Sequence, residues 1–184
     1  MIHKYALFKV IKAIIRENEE LSLRDIAKKA RVGPSTAKTS LDYLEKNLFV
    51  SRRIIGKTHL FKIDGSSPLV RQTKILFSLA EINFSRLVQE IQAKFSSAGL
   101  ISITLYGSAA KGLDDKLSDL DLLILTRKKI NPVHLNSEKK LSREVTYLKY
   151  TYHEWKEKAE KDPTFYKEVV FNCIPLCGEK PVVL

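Results

Sequence analysis

From Tyr5 to Ile15 the apolar residues Leu7, Phe8, Ile11, Ile14 and Ile15 recur at three- and four-residue intervals with lysines between them, which predicts an amphipathic helix. Ser22 followed three residues later by Asp25 has the form of a capping box, and it opens a short helix with Ile26, Ala27 and Ala30 on one face. Arg31-Val32-Gly33 reads as a tight turn. Pro34 suits the first position of a helix, where its missing N–H costs nothing, and Ala37, Leu41, Leu44 and Leu48 supply that helix's buried stripe. Phe49 to Ile54 and His59 to Ile63 are β-prone and separated by Ile55-Gly56-Lys57-Thr58, so a hairpin with Gly56 in the turn is expected.

Asp64-Gly65-Ser66-Ser67-Pro68 concentrates turn formers and marks a boundary. Beyond it Leu69, Thr73, Leu76, Ala80, Phe84, Leu87, Ile91 and Phe95 keep helical spacing, as one long helix or as two broken near Asn83. At 1.5 Å per residue this stretch is roughly 40 Å long, enough to separate two domains or to form a dimer seam. A helix that covers the following sheet fits its second half equally well. Leu100 to Tyr106 is a continuous apolar run, the mark of a buried strand, and it stops at Gly107-Ser108. After a loop from Gly112 to Ser118, Asp119-Leu120-Asp121 opens a second apolar run, Leu122 to Leu125, and Glu144 to Tyr150 is the next strand-like segment. The pattern predicts a two-domain α+β chain: residues 1–65, a helical linker over 66–97, and residues 98–184.

Charge sharpens the picture of the first domain. Residues 1–65 hold 14 Lys and Arg against 7 Asp and Glu, so +7 of the chain's +11 lies there, which favours a polyanionic partner. No apolar run nears the roughly 20 residues that span a bilayer. Lys9 and Lys12 interrupt Tyr5 to Ile15, which reads as neither signal peptide nor membrane helix, so a cytoplasmic location without membrane partners is expected. Cys173 and Cys177 lack further Cys or His at zinc-finger spacing and read as structural. His3, His59, His134 and His153 are scattered singly, and none reads as a metal ligand.

The chemistry is concentrated in LISITLYGSAAKGLDDKLSDLDLLILT. A strand that runs into a Gly-Ser turn and a helix start (Ala109, Ala110, Lys111) leaves backbone N–H groups free to cradle phosphate oxygens. Gly107 allows close approach and Ser108 offers a hydroxyl. Side chains alternate along a strand, so Asp119 and Asp121 share one face, where a divalent cation would relieve their repulsion; Mg2+ or Mn2+ suits carboxylate and phosphate oxygens.

Two resemblances follow. The run LSLRDIAKKARVGPSTAKTSLDYLEKNLFVSRRIIGKTHLFKI resembles the winged helix-turn-helix of transcriptional regulators in the order of its elements. That resemblance implies DNA as partner, with Ser35, Thr36, Lys38 and Thr39 opening a recognition helix and Arg52, Arg53 and Lys57 holding phosphates from the wing. Regulators that read palindromes are usually dimers, so a homodimer is compatible with it.

Residues 84–178 resemble the nucleotidyltransferase superfamily that includes DNA polymerase β, in its minimal branch, which carries Gly-Ser, ten intervening residues, then Asp-x-Asp; residues 109–118 make ten. The resemblance implies a short mixed sheet with helices on one side. It implies attack by an acceptor hydroxyl on the α-phosphate of a nucleoside triphosphate, with metal on Asp119 and Asp121, phosphates on Gly107 and Ser108, and added positive charge from Lys111. Active members use a third carboxylate on a later strand; Glu144 is the best-placed acid, although Arg143 precedes it where an apolar residue is usual. Arg127, Lys128, Lys129, Lys139 and Lys140 are either a surface for a polyanionic acceptor or a solvated loop. Minimal members resemble the antitoxin half of toxin-antitoxin pairs or act on transfer RNA, so the resemblance implies as acceptor an RNA, a protein such as a partner toxin, or a small molecule. The alternatives are a transcriptional regulator whose second domain only senses nucleotide, and a scaffold that binds partners alone.

Overall fold

The structure, a computed structural model, describes residues 5–129 and 134–183; His3 lies outside them. Two compact units are present, Met1–Lys74 and Ile75–Leu184. The first unit begins with α1 (Ala6–Ile14), a two-residue strand β1 (Leu21–Ser22) and α2 (Leu23–Ala30). The Ser22 hydroxyl accepts the Asp25 N–H at 3.2 Å, capping α2 as its sequence predicts. Arg31 ends α2 with φ 53°, and α3 (Pro34–Lys46) starts three residues later with proline in its first turn. Val10, Ile14, Ile26, Ala27, Ala37, Leu41 and Leu44, from all three helices, are buried. β2 (Val50–Ile55) and β3 (Thr58–Ile63) form an antiparallel hairpin in which Ile55 faces Thr58 across Gly56-Lys57. Gly56 has φ +58°, a conformation that suits a two-residue hairpin turn. β1 pairs with β3, Leu21 opposite Phe61, making a third strand that local pattern does not reveal.

The division between units falls inside α4 (Pro68–Ser85). The expected break comes at Arg86, φ 64°, before α5 (Leu87–Phe95). Ser85 makes the break: its hydroxyl donates to the Ile82 carbonyl at 2.7 Å and accepts the Leu87 N–H at 3.2 Å. The segment read as a linker over 66–97 is therefore not a separate element in its second half. Ile82, Leu87, Ile91 and Phe95 are buried in the same cluster as the strands that follow.

Those strands are β4 (Leu100–Tyr106), β5 (Leu120–Thr126), β6 (Val145–Thr151) and β7 (Ile174–Cys177), joined in part by α6 (Gly107–Lys111), α7 (Tyr152–Lys161) and α8 (Pro163–Asn172). The sheet order is β6-β5-β4-β7, with β5 and β6 parallel and the other pairs antiparallel. A mixed sheet was expected, but helices on one side were not what the chain adopts. Leu120, Leu122 and Ile124 pack with α5 and α6, whereas Leu123 and Leu125 pack with Trp155 of α7 and Val169 of α8. The reason lies in β5: Leu122, Leu123, Ile124 and Leu125 are apolar at successive positions, so the sheet has two faces to bury, and each needs its own layer of helices. Trp155 is fully buried and donates its indole N–H to the Pro181 carbonyl at 2.7 Å. Cys173 is a buried free thiol in the same cluster. Among the described residues no helix is long and apolar enough to cross a membrane.

Candidate functional site

β4 delivers the chain to Gly107, which opens α6 with φ +71°. A Cβ at this position would overlap the Asp121 carboxylate, falling inside contact with Oδ2 and 3.0 Å from Cγ. The glycine thus has two separate causes. Its backbone lies in the left-handed region, and the space a side chain would fill already holds a carboxylate. Antiparallel pairing sets this up, since Tyr106 stands opposite Asp121. Ser108 follows in the first turn of α6, half-buried, beside the same edge.

Asp119 lies just before β5 and Asp121 is its second residue, so the two carboxylates are on the side of the sheet that holds Leu123, Leu125 and Trp155. Burial raises the Asp121 carboxyl above its ordinary value, and the charge of Asp119 raises it further. Burial and then the charge of Asp121 push the Tyr106 hydroxyl up to about 12. The two acids therefore feel each other, and the sheet end carries concentrated negative charge.

The loop between α6 and β5, which leads into Asp119, is closed by its own hydrogen bonds. Asp115 Oδ1 accepts the Leu117 N–H at 2.9 Å and the Ser118 hydroxyl at 3.0 Å, and Ser118 Oγ accepts the Asp115 N–H at 3.0 Å. Asp114 is fully buried and pairs with Arg143 at 2.8 Å. Arg143 also reaches Ser78 Oγ at 3.1 Å and Glu81 at 3.4 Å, both on α4. This buried ion network ties the loop before the acids to the segment before β6.

The parallel register of β5 and β6 sets Asp121 beside Thr146. Thr146 donates its hydroxyl to Asp119 Oδ2 at 3.3 Å. Glu144 falls just before β6 and is exposed; its backbone carbonyl accepts the Leu120 N–H at 2.9 Å. Among the described residues no three His, Cys, Asp or Glu side chains come together as a metal-binding group. Lys111, at the C-terminal end of α6, pairs with Glu168 of α8 at 2.7 Å, so its charge is already partly answered.

A profile of the nucleotidyltransferase domain matches residues 84–177. The chain belongs to the nucleotidyltransferase domain family. No curated protein and no solved structure matches it. Family membership associates this unit with nucleotidyl transfer in general, and the matched segment begins in α4 and ends at the last residue of β7.

Outside the nucleotidyltransferase domain, Ser35, Thr36, Lys38 and Thr39 are all exposed on the first half of α3. Lys57 is exposed in the hairpin turn. Arg52 and Arg53 are placed differently from expectation. Arg52 pairs with Asp42 at 3.2 Å and with Glu45 at 2.7 Å, both on α3. Arg53 forms a double hydrogen bond to Glu20, which lowers the Glu20 carboxyl below its ordinary value. A phosphate would have to compete with carboxylates for either arginine. Arg127, Lys128, Lys129, Lys139 and Lys140 are exposed. Lys129 lies 3.6 Å from Glu154 of α7, a weak surface pairing.

Proposed function

We propose that the chain is a metal-dependent nucleotidyltransferase coupled to DNA binding. The observation that carries the nucleotide reading is the fit of the Asp121 carboxylate against Gly107, with Asp119 two residues away. A turn stripped of a side chain beside two adjacent acids suits a phosphate and a cation. Mg2+ characteristically binds through one or two carboxylates plus substrate phosphates, so these residues fit it. When bound, the cation would supply charge neutralisation at the phosphates. Asp119 and Asp121 would hold it, Gly107 would let the triphosphate approach the backbone, and Ser108 would donate its hydroxyl to a phosphate oxygen. The acceptor is a hydroxyl of an RNA or of a partner protein, an antitoxin-like arrangement if that partner is a toxin.

A second reading, a nucleotide sensor without transfer, is favoured by the lack of a third acid beside Asp119 and Asp121 among the described residues. Transfer of label from an α-labelled triphosphate to RNA or protein in a host lysate separates the two readings.

The test of the shared part is D119N/D121N. This variant should lose Mn2+-dependent binding of α,β-methylene-ATP in calorimetric titration. It should also melt higher than the parent in the absence of metal at neutral pH. The sign follows from the raised Asp121 carboxyl. A folded-state value above the unfolded one means that stability falls as pH rises through that interval, and above it the ionised acid is a full penalty that Asn removes. Undiminished nucleotide binding in the variant would overturn the assignment.

For the first unit, three helices, a tight turn before α3 and a hairpin after it support the winged helix-turn-helix reading. Lys38 and Lys57 stand exposed on α3 and the hairpin turn, and we assign them the phosphate contacts ahead of the paired Arg52 and Arg53. Replacing both lysines by Gln should lower the slope of log affinity against log salt by about 1.8, at roughly 0.9 per lost contact. Replacing Arg52 and Arg53 should change it less. A chain that fails to bind any duplex at low salt would rule the reading out.

A further inference from the structure

The side chain level with Asp121 on the neighbouring strand is Thr146, and its hydroxyl already reaches Asp119. We infer that Thr146 is the third member of this face, and that the site is a two-carboxylate site which takes its divalent cation together with a triphosphate. The inference rests on the nucleotide reading above and adds to it the β6 residue that stands where a third acid would.

The register leaves few choices. On β6 the residues sharing the face of Asp121 are Thr146, Leu148 and Tyr150, and the last two are packed with Leu123, Leu125 and Trp155 in the apolar cluster. An acid contributed by β6 at the level of Asp121 would have to stand at 146. Threonine there gives a neutral hydroxyl that donates one hydrogen bond. That donation orients Asp119 and eases the repulsion between the acids without adding charge. Glu144 lies one step beyond the strand end, exposed to solvent, and is not gathered with the other two.

Charge then sets the binding behaviour. Two carboxylates just balance one divalent cation, and with few protein ligands the cation's remaining positions go to water or phosphate. Cation affinity without nucleotide should be weak, and the triphosphate should raise it. Thr146 acts on Asp119 and is a positioning residue.

The experiment is Mn2+ titration of the full chain, followed by electron paramagnetic resonance, with and without α,β-methylene-ATP. For the parent, adding the nucleotide should tighten Mn2+ by about tenfold or more. T146D should tighten nucleotide-free Mn2+ by about tenfold, since it adds a charged ligand. T146V should weaken Mn2+ binding in the presence of nucleotide several-fold, T146S should restore it, and E144Q should match the parent. If E144Q weakens Mn2+ as much as D119N does, Glu144 is the third member and the inference is wrong. It is equally wrong if T146V matches the parent and T146D gains nothing. The T146V and T146S pair decides the matter should T146D fail to fold. Failure of the underlying reading looks different: D119N/D121N would then retain Mn2+–nucleotide binding.

Discussion

Replacing Gly107 by valine is expected to abolish nucleotide binding and reduce any nucleotidyl transfer by at least about a hundredfold, the scale on which a misplaced catalytic constellation loses rate. The new Cβ meets Asp121 within contact distance, and a φ of +71° disfavours any β-branched residue. The Asp121 carboxylate is the group the new side chain meets first, so it is the group displaced. The acid must therefore swing away from the turn, and the pair with Asp119 is lost. G107A should lie between parent and valine, because alanine meets the same carboxylate with less bulk. Titration with Mn2+ and α,β-methylene-ATP checks the binding, and α-labelled triphosphate checks the transfer. A valine variant that binds nucleotide like the parent would show that the turn does not contact the ligand.

The second large effect is on stability. R143M should destabilise the C-terminal unit by about 3–5 kcal/mol, the usual consequence of removing one member of a buried pair. Asp114 is fully buried and Arg143 is nearly so, with 4% of its side chain exposed, so losing the guanidinium removes a buried ion-pair partner of the carboxylate. D114N should cost less, since the amide still accepts a hydrogen bond and Glu81 remains near Arg143. In a double-mutant cycle the two changes should be strongly non-additive. Urea unfolding followed by far-ultraviolet circular dichroism measures all of this. An R143M midpoint equal to that of the parent would mean that the ion network contributes nothing.

Much of this was legible in the chain because it is locally encoded. β4 spans Leu100–Tyr106 as read, since the apolar run and the glycine that ends it are both local signals. The same holds for the Ser22 cap, the proline that starts α3 and the Gly56 turn. What was not legible depends on partners distant in sequence. β1 is two residues long and exists only because β3 lies beside it. Arg52 and Arg53 look like free cations until Asp42, Glu45 and Glu20 are brought to them. Arg143 looked like an awkward neighbour of Glu144, yet it is the centre of a buried network. The register between β5 and β6, across a connection of 18 residues, sets Thr146 and not Glu144 level with Asp121, and the sequence encodes it only weakly. One hint was present: an apolar residue, Val145, precedes Thr146, whereas Arg143 precedes Glu144.

The position of Ser78 and Glu81 on α4 has a practical consequence for dissecting the molecule. A fragment cut to the family-matched residues 84–177 would omit both of these partners of Arg143, as well as Ile82 from the core. It would also lack Pro181, the carbonyl that receives the Trp155 indole. Such a piece keeps every residue of the nucleotide site and discards several that hold the site's loop and the sheet's far layer in place. A fragment that keeps these contacts has to start upstream of Ser78 and run past Pro181, outside the limits that family likeness alone would draw.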